Sequence, residues 1–127
     1  MVVTLRTLLV IEDDDSMREA IERLLVAAGF GCTVYTSADA LLARGVDEDA
    51  VCVISDLKLP GKSGLELLAT LRERHVSLPF ILITAHDTPE LRQQALRSGA
   101  AAYLAKPFRG TELLEAVTGA IEQSSPS

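Results

Sequence analysis

Five short runs of β-forming, mostly apolar residues alternate with five stretches in which apolar residues recur at helical spacing, and no other feature constrains the chain as much. Leu8-Leu9-Val10-Ile11 is continuously apolar rather than alternating, as a strand covered on both faces requires. Met17, Ile21, Leu24, Leu25 and Ala28 then fall on one helical face, and Gly29 and Gly31 follow where a helix would stop and turn. Cys32 to Thr36 reads as a second strand, Ser37 as the cap of a short helix through Leu42, and Val51 to Ser55 as a third strand. Ser63-Gly64-Leu65-Glu66 is a capping-box pattern that opens a helix ending near His75. Phe80 to Ile83 is a fourth strand, and Thr88-Pro89 places a cap before a proline at the first helical position of a helix running to about Ser98. Ala101 to Ala105 is a fifth strand, and a last helix, capped by Thr111, carries Leu114, Val117 and Ile121. Such alternation predicts right-handed crossovers, a parallel sheet and helices on both of its faces.

The 127 residues, 48% of them hydrophobic, are enough for one core and not for two, so a second catalytic or DNA-binding domain is excluded within them. Residues 1–122 are read as that domain, and 123–127 as a polar tail or the start of a linker. The net charge of −6, with Glu12, Asp13, Asp14 and Asp15 in succession, disfavours unaided binding to nucleic acid or an anionic membrane. Neither a membrane-length apolar run nor a secretory pattern from Met1 to Leu9 is present, which predicts a cytoplasmic protein. The two cysteines, Cys32 and Cys52, sit among β-formers without metal-ligand spacing and read as buried reduced thiols.

In parallel α/β sheets ligands bind beyond the carboxyl ends of the strands. Here those ends carry Glu12 and Asp13, Asp56, Thr84 and Lys106. Carboxylates about 4 Å apart repel by roughly 4 kcal/mol per pair at an effective dielectric near 20. Lys106 supplies one compensating charge, and a divalent cation bound through oxygen, Mg²⁺ or Mn²⁺, would supply the rest. Without a metal, at least one carboxyl pKa should be raised. A carboxylate held beside such a cation and a lysine can attack phosphorus, and Asp56, ending an interior strand, is the residue suited to that role. Asp14 and Asp15 read as solvated charges at a helix start, and His75 as a surface residue near a helix end.

These residues resemble the receiver domains of two-component response regulators. The resemblance is carried by Glu12-Asp13 after Val10-Ile11, Ser55-Asp56-Leu57-Lys58-Leu59-Pro60-Gly61 with Ser63-Gly64, Thr84-Ala85, Gly99-Ala100, Tyr103 and Lys106-Pro107-Phe108. It implies a flavodoxin-like sheet of strand order 2-1-3-4-5. It also implies that Asp56 accepts a phosphoryl group from a histidine kinase. Asp13 and Asp56 would ligate the metal, Glu12 would act through water, and Lys58 would offer its backbone carbonyl. Lys106 would pair with the phosphoryl group, and Thr84 and Tyr103 would form the switch. The Lys106-Pro107 bond would be cis. Glu12 stands where aspartate is commoner in that family. Lys58 and His86 occupy positions that tune the lifetime of the phosphoryl group.

Two other functions fit less well. An aspartyl-nucleophile phosphatase wants an acid two residues beyond its nucleophile, where this chain has Lys58. A flavin-binding electron carrier needs phosphate donors after the first strand, where this chain has four acids. The segments around Asp56 and Thr84 are similar to those of the nitrogen-fixation class of transcription regulators, which implies a DNA-binding output domain outside this sequence. A stand-alone receiver that docks onto partners in a phosphorelay is the alternative. Homodimerisation through the face of the fourth helix, fifth strand and fifth helix is a further expectation.

Overall fold

The parity of the apolar runs sorts the core into two layers. The computed structural model describes residues 6–124. Its strands are β1 (Thr7–Ile11), β2 (Gly31–Tyr35), β3 (Ala50–Asp56), β4 (Phe80–Thr84) and β5 (Ala102–Ala105), parallel throughout and ordered β2-β1-β3-β4-β5. The helices are α1 (Asp15–Ala27), α2 (Ala38–Arg44), α3 (Gly64–Glu73), α4 (Pro89–Arg97) and α5 (Gly110–Ser124). Leu9, Ile11, Val53, Phe80 and Leu82 face one way and pack with Leu41 of α2, Leu67, Leu68 and Leu71 of α3 and Ala95 of α4. Their neighbours in sequence, Leu8, Val10, Cys52, Ile54, Ile81 and Ile83, face the other way and pack with Ile21 and Leu25 of α1 and Leu113, Val117 and Ile121 of α5. This period of two in strands buried on both faces makes the runs continuously apolar.

The local signals act where the sequence puts them. Ser37 accepts the Ala40 N–H, Thr88 accepts the Leu91 N–H ahead of Pro89, and Ser63 and Glu66 form a reciprocal capping box. Asp14 caps α1 by accepting the Met17 N–H, and Asp15 lies exposed in its first turn. Helix α3 ends at Glu73, two residues before His75, which takes the left-handed conformation at φ 63° just past the helix.

One cap differs from expectation. Helix α5 begins at Gly110, so Thr111 lies inside its first turn rather than capping it. The reason is Glu112, whose carboxylate reaches back to accept the Arg109 N–H at 3.0 Å and fixes the start one turn ahead of itself. The same helix continues to Ser124, so Gln123 and Ser124 are its last residues. The remainder of the segment read as a tail, and Met1 to Leu5, lie outside the described residues. Among the described residues no helix is long and apolar enough to cross a membrane. Cys52 is buried but Cys32, on the edge strand β2, is only half-buried, and burial pushes both thiols up to about 12, which favours the protonated form near neutral pH.

Candidate functional site

Parallel strands bring their carboxyl ends to one edge of the sheet, and the side chains there change character within a single residue. Ile11 ends β1 and Glu12 follows it; Ser55 and Asp56 end β3, and Thr84 ends β4. These four residues, Glu12, Ser55, Asp56 and Thr84, are the buried polar residues of the described chain. Glu12 is 0% exposed and Asp56 7%, whereas Asp13 is open to solvent. Carboxylate oxygens of Glu12, Asp13 and Asp56 all lie within 4.8 Å of one another.

Lys106, just past β5, reaches into this group. Its Nζ donates to Glu12 Oε1 at 2.8 Å and to Asp56 Oδ2 at 3.1 Å. Its backbone N–H donates to the Thr84 carbonyl at 2.7 Å, and the Lys106-Pro107 peptide is cis. The second Glu12 oxygen accepts the Asp14 N–H at 3.2 Å. Burial, more than the nearby Asp56 charge, raises the Glu12 carboxyl above the usual carboxylate range, against the pull of Lys106 and the Asp14 N–H. A raised carboxyl pKa was expected from like-charge repulsion, but desolvation is the larger cause. Lys106 is itself held above its ordinary range: burial lowers it, and the hydrogen bonds and charges of Glu12 and Asp56 outweigh that burial.

Three carboxylates facing one ammonium leave the group negative, and every free ligand atom is oxygen. That donor set suits a hard divalent cation, which takes carboxylates, carbonyls and water. Lys58 lies two residues beyond Asp56 in the loop to α3, with an exposed side chain. Thr84 is fully buried, and its Oγ1 accepts the His86 N–H at 3.0 Å. Tyr103, 6% exposed, stands opposite Leu82 in the β4–β5 register, one residue before the level of the Asp56–Ile83 pair. The guanidinium of Arg92 on α4 lies 4.6 Å from its ring centroid, and the same guanidinium lies 3.8 Å from Asp87. Burial, and after it the neighbouring Asp87 carboxylate, raises the Tyr103 phenol above its ordinary range.

The structure therefore gathers Glu12, Asp13, Asp56 and Lys106 at one point and joins Thr84 to His86. Sequence reasoning gave no contact to four residues around them: Arg18 and Arg92, which it did not single out, and Ser55 and Gly64, which it named only as parts of motifs. Arg18 of α1 donates to the Glu12 carbonyl at 3.0 Å and pairs with Asp15, which anchors the backbone from which Glu12 and Asp13 project. Ser55 Oγ donates to the Asp56 carbonyl at 2.9 Å, and Gly64 packs against that same carbonyl. Arg92 covers Tyr103. Arg18 carries a partial signal in its spacing from Asp15, typical of a helix-surface ion pair; the other contacts depend on how elements pack and leave no periodic trace.

Comparisons with known proteins agree with this fold. The transcriptional regulatory protein FixJ of Azorhizobium caulinodans is 40% identical over 116 residues, covering 91% of this chain and 55% of the relative. The DNA-binding transcriptional regulator NtrC of Salmonella typhimurium is 37% identical over 121 residues, covering 92% of this chain and 26% of that protein. The chain thus spans about half the length, or less, of these curated relatives. Among solved structures, full-length FixJ from B. japonicum superposes with a TM-score of 0.86 at 35% identity, covering 98% of this chain and 61% of that one. The Francisella response regulator 1452 receiver domain superposes with a TM-score of 0.87 at 27% identity, covering 94% of this chain and 99% of its own. A model of the response regulator receiver domain family matches residues 8–118, from the start of β1 into α5, and the chain belongs to that family.

Proposed function

We propose that Asp56 is the phosphoacceptor of this receiver, that a histidine kinase is its donor, and that the domain works as a phosphorylation-controlled switch rather than a turnover enzyme. The observation that carries this reading is the single ammonium of Lys106 bridging buried Glu12 and Asp56, with Asp13 beside them. An Asp56 oxygen attacks the phosphorus of a phosphohistidine. The P–N bond breaks, the leaving imidazole nitrogen keeps the electron pair and takes a proton from solvent, and an acyl phosphate remains on Asp56. Asp13 and Asp56 would hold Mg²⁺ or Mn²⁺ directly, with Glu12 acting through water and the Lys58 carbonyl contributing. When bound, the cation neutralises charge on the transferring oxygens.

Lys106 pairs with the phosphoryl group, and the Thr84 hydroxyl donates to one of its oxygens. Thr84 Oγ1 now accepts the His86 N–H, so its movement toward the phosphoryl group pulls on the loop that leads into α4. Tyr103, packed under Arg92 of that helix, is the group through which the change reaches the α4–β5–α5 face. Lys58 and His86, two residues beyond Asp56 and Thr84, set the phosphoryl lifetime. Similarity to FixJ and NtrC supports a cytoplasmic transcription regulator whose DNA-binding part lies outside this sequence, and a second copy of the α4–β5–α5 face as the partner of the phosphorylated form. An unchanged sedimentation coefficient after phosphorylation would remove the dimer from this account.

Intact mass after incubation with acetyl phosphate and Mg²⁺ tests the central claim. The expected result is one base-labile phosphoryl group, lost in Asp56→Asn and in a chelated control. A folded protein that takes no adduct in any condition overturns it.

A further inference from the structure

Gly64 is the first residue of α3, buried where that helix meets the end of β3. A β-carbon added there would stand 2.4 Å from the Asp56 carbonyl oxygen, 3.1 Å from the Asp56 carbonyl carbon and 2.9 Å from Leu82 Cδ1. Carbon atoms in favourable contact sit about 3.5–4.0 Å apart, so both neighbours would have to give. They differ in their ability to do so. Leu82 Cδ1 is the end of a side chain. The Asp56 carbonyl is backbone, gripped from several directions: Ser55 Oγ donates to it, Asp56 pairs with Ile83 of β4, and the next residue, Leu57, donates its N–H to the Ile83 carbonyl at 2.8 Å.

The helix side is equally fixed. The Gly64 N–H donates to the Leu57 carbonyl at 2.9 Å, which closes the loop that carries Lys58, and the Ser63–Glu66 capping box locks the first turn of α3. Gly64 does not have the positive φ that would itself call for glycine, so the requirement is for space. A β-carbon must either lift α3 from the strand end or turn the Asp56 peptide, and each movement displaces the Asp56 carboxylate together with the Lys58 backbone.

We infer that Gly64 is a positioning residue for phosphoryl transfer: its missing side chain lets α3 seat directly on the Asp56 peptide and hold the nucleophile in line. The inference rests on the phosphoacceptor reading above and adds to it a residue outside the charged cluster.

The test uses the whole chain in four forms: wild type, Gly64→Ala, Gly64→Ala/Leu82→Val, and Gly119→Ala. Gly119 is a control helix glycine with nothing within 4 Å of an added β-carbon. Three quantities are read: the rate of Asp56 phosphorylation against acetyl phosphate concentration, Mg²⁺ affinity by calorimetry, and stability in urea. The Gly64→Ala rate at saturating donor should fall by about 10²-fold, the scale of a 1 Å misplacement, with half-saturation by donor unchanged. Shortening Leu82 should return stability without returning the rate, and Gly119→Ala should match wild type in rate.

A folded Gly64→Ala with the wild-type rate overturns the inference. So does recovery of the rate in the double variant, which would place the conflict at Leu82, and so does failure of both Gly64 variants to fold, which would make the glycine a packing residue only. A wild type that takes no phosphoryl group would refute the phosphoacceptor reading separately. In that case the inference falls with the reading it rests on, whereas a phosphorylated wild type with an equally fast Gly64→Ala overturns the inference alone.

Discussion

Between Leu8 and Ile11 every side chain is apolar and wholly buried; one residue further, Glu12 is as buried and carries a carboxylate. The same step recurs from Ile54 to Ser55 and Asp56, and from Ile83 to Thr84. The body of the sheet and the strand ends Glu12, Ser55, Asp56 and Thr84 are thus both buried but held by different forces. The body gains from removal of apolar surface from water, which is additive and tolerant of small shifts. The edge gathers groups that water would solvate better and keeps them by specific partners, so its cohesion depends on a few contacts being present together. The candidate site occupies the residues where the strands stop burying apolar side chains.

Substitutions can sharpen or break this contrast. The largest expected effect is in the body: Phe80→Ala, at a fully buried ring, should cost about 4 kcal/mol in urea unfolding. Next is the edge itself. Lys106→Ala leaves buried Glu12 and Asp56 without their shared cation and should cost about 3 kcal/mol. A loss below about 1 kcal/mol, the range of exposed ion pairs, would mean that solvent already compensates the edge and that the contrast is overdrawn.

A smaller effect lies where α3 meets the edge. Ser63→Ala should cost about 1 kcal/mol by removing the cap. The other half of the capping box, Glu66 on the Ser63 N–H, has a pH dependence of definite sign. The Ser63 backbone N–H holds Glu66 below the usual carboxylate range, so this contribution is present above about pH 4.3 and is lost as pH falls through the lower folded value. Glu66→Gln should flatten that part of the acid limb, as followed by circular dichroism. The smallest effect is at the outer side: Arg92→Ala should remove about 0.5–1 kcal/mol of cation–π interaction with Tyr103, measured by a double-mutant cycle with Tyr103→Leu.

The body was the more legible region in the sequence, and the reason is physical. Strand runs, and the caps at Ser37, Ser63 and Thr88, are written in residues a few positions apart, so spacing alone reveals them. The start of α5 was misread at Thr111 because two local signals compete there, and the Glu112 carboxylate on the Arg109 N–H prevails over the hydroxyl. At the edge, Glu12, Asp13, Asp56 and Lys106 could be picked out because each follows an apolar run. Their exposures could not: nothing in the sequence distinguishes wholly buried Glu12 from exposed Asp13. The seat of Gly64 on Asp56 and the cover of Arg92 on Tyr103 are facts of packing between elements, and periodicity carries no information about them.

The ion pairs of Lys106 span 94 residues to Glu12 and 50 to Asp56. A chain emerging from the ribosome amino end first can bring β1 and β3 together, and with them two carboxylates, long before the lysine that reconciles them has been made. Contacts so distant in sequence bear the full loop-closure entropy and reward only a finished sheet. A fragment ending before β5 would hold the acids without the ammonium, so the charge balance of the edge arrives only with the last strand and reports that all five strands are in place.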